Sequence, residues 1–205
     1  MAPHRARCVG AILAGGRASR FGGGPKGLQL VGGRRIVDRV AAALGEVADE
    51  LLVVTSADDD AAWIAGVRVV RDVVPEVGSL GGVHAALAHA RGADVLVVAW
   101  DMPFVDAGLL AALRARGEAG DAEAVLPRSG ARLGGEPLCA WYAARSLATA
   151  ERLVAAGERR AGAVASAVRV AWLDPAPWGD AARLFANVNT PDELARARAL
   201  AGEPG

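Results

Sequence analysis

AILAGGRASRFGGGPKGLQL, residues 11–30, passes from an apolar run into a stretch with six glycines, Arg17, Arg20, Pro25 and Lys26. The apolar start, VGAIL at 9–13, reads as a first buried strand, and the glycines follow directly at its carboxyl end. Glycine removes the side chain and tolerates positive φ, so backbone N–H groups of such a loop can approach an anion closely. Phosphate is the expected guest. The alternative is a surface loop with solvated charges, although long glycine-rich loops in compact domains are usually functional or disordered.

LLVVTS (51–56), VRVV (67–70) and DVLVVAW (94–100) have the length and branched composition of buried parallel strands. Helical spacing of apolar residues marks RRIVDRVAAAL (34–44), SLGGVHAALAHA (79–90) and FVDAGLLAALRAR (104–116). This alternation predicts a three-layer α/β fold with a mostly parallel central sheet. Ligands of such sheets bind beyond the carboxyl ends of the strands, where the glycine run falls. GEAGDAEA (117–124) reads as a polar turn before a strand at AVLP, and the pattern then loosens. EPLCAWY and VRVAWLD read as strands and AARSLATAERLVAAG as a helix. In NTPDELARARALA, Thr190 is placed to cap a last helix, with Pro191 in its first turn and Glu193 completing a capping box.

With 205 residues, 53% of them hydrophobic, the chain can bury the core of one sizeable domain, although length alone does not exclude two. Lysine plus arginine and aspartate plus glutamate number 23 each, so no global field draws the chain to nucleic acid or an anionic membrane. No segment approaches the roughly 20 apolar residues of a membrane span. Residues 1–16 imitate a secretory signal, but the apolar stretch from Cys8 to Ala14 is short and leads to Arg17 and Arg20 without a clear cleavage site. Cys8 and Cys139 could form one bridge; their apolar surroundings favour two buried small side chains, which fits a reducing cytoplasm.

Two familiar phosphate loops can be tested. A P-loop needs Gly-Lys-Ser/Thr, whereas Lys26 lies between Pro25 and Gly27. Gly22, Gly24 and Gly27 formally fit G-x-G-x-x-G but begin too far after the strand for a dinucleotide fingerprint. What remains is a tight turn at Gly15 and Gly16 followed by Arg20 and Lys26. Such a loop could wrap a nucleoside triphosphate and neutralise charge during phosphoryl or nucleotidyl transfer. Asp101, at the end of DVLVVAW, is well placed for a magnesium ion bridging phosphates, the alternative being a helix cap. Asp72, ending VRVVRD, could contact the nucleotide or simply serve a turn. Gly78, Gly81 and Gly82 in PEVGSLGGVHAAL (75–87) would let a flat base or ribose approach. His84 and His89 fall on different faces of one helix, which makes a metal pair improbable, and no cysteine or histidine arrangement suggests a covalent nucleophile.

LAGGRASRFGGGPKG resembles the signature loop of the molybdenum cofactor guanylyltransferases, the MobA-like group of nucleotidyltransferases. GSLGG is similar to their G-P-L-A-G loop, AWDMPFV to their C-D-M-P-F segment, AGERR to a motif of their second half, and FANVNTPDEL to their N-x-N-T-P-E-D-L ending. These segments lie in order between residues 13 and 194. The resemblance implies a Rossmann-like nucleotidyltransferase fold, one domain over 1–205 with a nucleotide-binding half of about 1–105 and an acceptor-binding half of about 106–201. It implies transfer of GMP from GTP to molybdenum-molybdopterin, with Mg2+ and release of pyrophosphate. Proteins of molybdenum cofactor biosynthesis and molybdoenzyme maturation are the partners it suggests.

Carried over by position, Leu13, Ala14, Gly15, Gly16, Thr55, Asp72, Gly78, Leu80 and Gly82 would serve the nucleotide, Lys26 and Arg20 its phosphates, and Asp101 the magnesium. Arg159, Arg160, Asn187 and Asn189 would face the pterin or the reacting phosphate. The chain departs from the pattern at Phe21 (usually Met), Pro25 (commonly Asp), Ser79 (Pro) and Trp100 (Cys), and carries Thr55 and Ser56 where many relatives have Asn. Pro25, Ser79 and the missing Asn bear on base choice more than on chemistry. A sister transferase, acting with CTP on molybdopterin or on a sugar or alcohol phosphate, and a nucleotide-binding regulator without catalysis are the competing readings.

Overall fold

Seven consecutive residues with no need of water make β1 (Cys8–Ala14) an interior strand of the sheet, buried along its whole length. The computed structural model describes residues 6–15, 26–55 and 64–202. After β1 come the short strands β2 (Leu30–Val31) and β3 (Arg34–Arg35), α1 (Ile36–Gly45), β4 (Glu50–Thr55), β5 (Arg68–Arg71), α2 (Ser79–His89) and β6 (Asp94–Ala99). The second part holds α3 (Ala107–Glu118), β7 (Ala124–Pro127), β8 (Cys139–Tyr142), α4 (Leu147–Ala155), α5 (Gly162–Ala167), β9 (Val170–Leu173), α6 (Ala181–Leu184) and α7 (Pro191–Leu200).

Seven strands form the main sheet in the order β5-β4-β1-β6-β8-β7-β9. β1 pairs in parallel with β4 and β6, β4 with β5, and β7 with β9, while β8 runs antiparallel to both β6 and β7. The sheet is thus mostly parallel, with β8 as its reversed member. Period-two alternation sends Ile12, Leu96 and Val98 into one apolar layer with α1, α3 and α7. Val9, Ala11, Leu13, Val95 and Val97 enter the other, against α2, α4 and α5. Each fully buried valine, leucine or isoleucine contributes about 1.5–3 kcal/mol of transfer free energy, so both faces of β1 and β6 must be covered. That requirement is what makes three layers.

The amino ends of the strands are fastened by a cation. Arg114 on α3, 1% exposed, donates to the Val47 carbonyl at 2.6 Å, the Ala6 carbonyl at 2.8 Å, Asp49 Oδ2 at 2.9 Å and Glu118 Oε1 at 2.6 Å. Asp49 Oδ2 also accepts from the Cys8 N–H at 2.8 Å, so the clamp reaches the first residue of β1.

Several boundaries differ from the sequence reading. Arg34 and Arg35 belong to the β2–β3 hairpin, and α1 starts at Ile36. The helix expected from 104 starts at Ala107, capped by Asp106, whose carboxylate accepts from the Leu109 N–H at 3.0 Å. Residues 144–146 form a 3-10 turn before α4. The cap of α7 is as expected at Thr190, which accepts from Glu193 N–H at 3.2 Å, but Glu193 answers to the N–H of Asn189 at 2.7 Å instead of that of Thr190. Cys8 and Cys139 are free and buried, and burial pushes both thiols up to about 12. Among the described residues no helix is long and apolar enough to cross a membrane.

Candidate active site

The candidate site lies at the carboxyl ends of β1 and β6. These neighbours are connected to helices on opposite faces of the sheet, α1 following β1 and α2 preceding β6, which is the topological condition for a ligand cleft. Six buried apolar positions carry β6 and Trp100 up to Asp101, which is itself only 9% exposed. The chain cannot continue the sheet there: Trp100 N–H donates to the Leu13 carbonyl at 3.2 Å, and Met102 N–H turns back to the Ala99 carbonyl at 3.3 Å. The Asp101 carbonyl accepts from the Val188 N–H at 2.9 Å, which draws the segment before α7 alongside.

Lys26 comes from the far end of the glycine loop. Its ammonium donates to Asn189 Oδ1 at 2.5 Å and lies 3.7 Å from Asp101 Oδ2, with both charged side chains 12% exposed. Three residues from three distant segments thus converge. Burial raises the Asp101 carboxyl above the usual carboxylate range; the nearby Lys26 charge pulls it back only in part, and Glu193 adds to the rise. A buried carboxylate in that condition gains from any further cation beside it. Glu193 also holds the Asn189 amide from behind, a role that its reading as a simple capping residue did not include.

Gly27 explains the tryptophan before Asp101. A Cβ on Gly27 would sit 2.4 Å from the Trp100 ring, so the indole takes the space of the missing side chain and fixes the backbone that bears Lys26. Trp100 is therefore a packing partner of the loop.

On the other side of β1 a second group assembles. Thr55, 1% exposed, ends β4 and its carbonyl accepts from the Asp72 N–H at 3.2 Å. Asp72 is half-buried and its carboxyl is raised, chiefly by that burial and with the His84 charge opposing. A Cβ on Gly82 would meet Leu13 Cδ1 at 3.1 Å, so α2 rests directly on the end of β1. Leu80 has a fully buried side chain, and its N–H donates to the Arg159 carbonyl at 3.0 Å, which makes it a structural member of this corner. Leu13 and Ala14 are also buried, Gly15 is exposed, and Gly78 sits at φ 70°. Asn187 is exposed, whereas Val188 between the two asparagines is buried. Arg159 and Arg160 are exposed at the start of the second half's loop before α5. Gly16, Arg20, Phe21, Pro25 and Ser56 lie outside the described residues. His84 is buried on α2 and the His89 ring faces the Arg71 carbonyl at 3.1 Å, so the two do not form a metal pair.

Residues 10–172, a span that includes Lys26 and Asp101, match the model of a known family, that of the MobA-like NTP transferase domain. The chain belongs to this nucleotidyltransferase family. It is 39% identical over 202 residues to the probable molybdenum cofactor guanylyltransferase of Chloroflexus aggregans, covering 94% of each chain. Among solved structures it resembles molybdopterin-guanine dinucleotide biosynthesis protein A from Archaeoglobus fulgidus, at 27% identity and a TM-score of 0.79, over 95% of this chain and 98% of that one. Rv0371c from Mycobacterium tuberculosis, crystallised in complex with manganese, shares the fold with a TM-score of 0.66 at 20% identity, over 94% and 98% of the chains. The family assignment agrees with the motifs in their order, and the MobA-like fold is the three-layer sheet described above.

Proposed function

We propose that this chain transfers GMP from GTP to molybdenum-molybdopterin, forming the guanine dinucleotide cofactor and pyrophosphate. The observation that carries the reading is the convergence of Lys26, Asp101 and Asn189 at the carboxyl ends of β1 and β6, in a chain whose relatives bear the guanylyltransferase name. GTP would lie across the end of β1, its base toward the corner of Thr55, Asp72, Gly78 and Gly82 and its phosphates toward the glycine loop. The first half, about 1–105, would hold the nucleotide, and the second, about 106–201, the acceptor.

In this reaction the terminal phosphate of the acceptor attacks the α-phosphorus, a new P–O bond forms, and the bond to the pyrophosphate oxygen breaks. The attacking group is already an anion at neutral pH, so no strong general base is needed. The protein must supply alignment and charge neutralisation. Lys26 would release Asn189 or share it to contact the phosphates, Arg20 would add a second cation, and Asn187 and Asn189 would orient the acceptor.

The donor set fits a divalent ion of the hard, oxygen-seeking kind. No group of three or more histidine, cysteine, aspartate or glutamate side chains is assembled among the described residues, and Asp101 is one buried carboxylate with an unmet preference for positive charge. Magnesium typically takes one or two protein carboxylates and completes its shell with phosphate oxygens and water. Asp101 would hold the ion, which when bound would supply positive charge against the negative charge developing at the α-phosphate.

The test is pyrophosphate release with GTP, CTP or ATP supplied separately, together with magnesium and molybdenum-loaded molybdopterin. Release from GTP alone is expected; release from CTP alone, or from none of the three, would overturn the assignment.

A further inference from the structure

Ser79 is a departure from the family pattern, a serine where a proline is usual. In the fold it is one of the residues through which the two halves of the chain touch. Its hydroxyl accepts from the Ala161 N–H at 3.0 Å and donates toward the Arg159 carbonyl at 3.4 Å. The same carbonyl accepts from the Leu80 N–H at 3.0 Å, using its second lone pair. Gly78 permits this approach: it sits at φ 70°, and a Cβ there would come within 2.8 Å of the Arg159 oxygen. The first turn of α2 therefore spends a backbone donor, a hydroxyl and a glycine on the main chain of residues 159–161.

That main chain carries Arg159 and Arg160. Glu158 Oε1 accepts from both of their amides, at 2.8 and 3.0 Å, and Oε2 from the Arg160 guanidinium at 3.0 Å. The Arg160 side chain, followed by the two amides, holds the Glu158 carboxyl at about 2, so this brace stays charged throughout the neutral range. The arginine segment is thus a turn braced internally by Glu158 and moored externally to α2.

We propose that Ser79 is a positioning residue that couples occupancy of the nucleotide corner to the placement of the acceptor-side arginine segment. The proposal rests on the reading of residues 75–82 as the nucleotide side. Ordering of that loop by a bound nucleoside triphosphate tightens the mooring, and the arginine segment is then presented to an anionic second substrate. Loss of the hydroxyl leaves the Ala161 N–H without its partner and removes one of the two donors to the Arg159 carbonyl. It touches neither Lys26 nor Asp101.

Two measurements on Ser79→Ala and Ser79→Thr test this. Hydrogen exchange is followed at the amides of residues 159–161 with and without GTP and magnesium. In the wild type, and in Ser79→Thr, GTP is expected to slow exchange there; in Ser79→Ala exchange is faster at rest and GTP no longer slows it, while the middle of α2 stays protected. Unchanged exchange in Ser79→Ala overturns the proposal, whatever the acceptor proves to be. In steady-state assays the acceptor KM of Ser79→Ala rises about fivefold, the equivalent of one neutral hydrogen bond, with kcat within about twofold; Ser79→Thr restores the KM. An equal fall in kcat with no change in acceptor KM also overturns it. A wild-type enzyme inactive with GTP would instead refute the proposed reaction, and the exchange result would still decide the mooring.

Discussion

Arg114 and Asp101 are both buried ionisable groups at the ends of the same parallel strands, and the chain treats them in opposite ways. Arg114 at the amino ends is surrounded by two carboxylates and two carbonyls, all within 2.9 Å. Burial opposes its charge, yet the hydrogen bonds it donates to Glu118 and Asp49 more than compensate and hold its pKa above the ordinary arginine value. Asp101 at the carboxyl ends has Lys26 at 3.7 Å, and that lysine is shared with Asn189. Burial wins there, and the carboxyl is raised. A charge saturated with partners belongs to the architecture, whereas a charge left short of them has capacity for a ligand.

The comparison breaks first if Arg114 can be removed cheaply. Arg114→Ala should cost about 3–5 kcal/mol, because Asp49, Glu118 and two carbonyls lose their donor together. Urea titration measures this, and the variant should keep its turnover at low temperature wherever it remains folded. Next is Lys26→Ala, expected to lower kcat by about a hundredfold, or about 2.7 kcal/mol of transition-state stabilisation, with the unfolding midpoint little changed. A third variant, Gly27→Ala, forces a Cβ into the Trp100 ring and shifts the backbone beneath Lys26. A loss of about tenfold in kcat/KM is expected, recovered in part when Trp100→Leu is added.

The smallest effect concerns pH and stability. Since the folded-state pKa of Asp101 is raised, the native state binds its proton more tightly than the unfolded state. Stability from this group is fully present below the unfolded pKa and is lost as pH rises through the raised folded value. Asp101→Asn should therefore be the more stable protein at neutral pH, by a few degrees in Tm or about 1 kcal/mol, and the advantage should vanish in acid. Magnesium with GTP should narrow the neutral-pH difference by stabilising the wild type alone.

The sequence made the carboxyl-end site more legible than the amino-end clamp. Asp101 stands out because a carboxylate terminates six apolar residues, and β1 and β6 stand out because both of their faces must be apolar. Arg114 does not, since the helical spacing of apolar residues in FVDAGLLAALRAR says nothing of its arginines, and only the tertiary fold brings Ala6, Val47 and Asp49 around it. The reversed direction of β8 is equally invisible, because four consecutive buried residues pair as well either way. The β2–β3 hairpin has two residues per strand, too few for a period to show. Lys26 and Asn189 lie 163 residues apart; the resemblance gives Lys26 to the nucleotide phosphates and Asn189 to the pterin or the reacting phosphate, and only the fold brings them into contact. The Ser79 mooring had no signal beyond an unusual residue in a familiar motif.

The most direct test is the turnover of Asp101→Asn with GTP, magnesium and molybdenum-loaded molybdopterin, measured on protein shown by thermal unfolding to be folded. The variant keeps the size and hydrogen-bonding shape of the side chain and removes its charge. Pyrophosphate release should fall by at least about a hundredfold in a protein no less stable than the wild type at neutral pH. Release at the wild-type rate would contradict the account, since the under-neutralised carboxylate would then have no part in the chemistry.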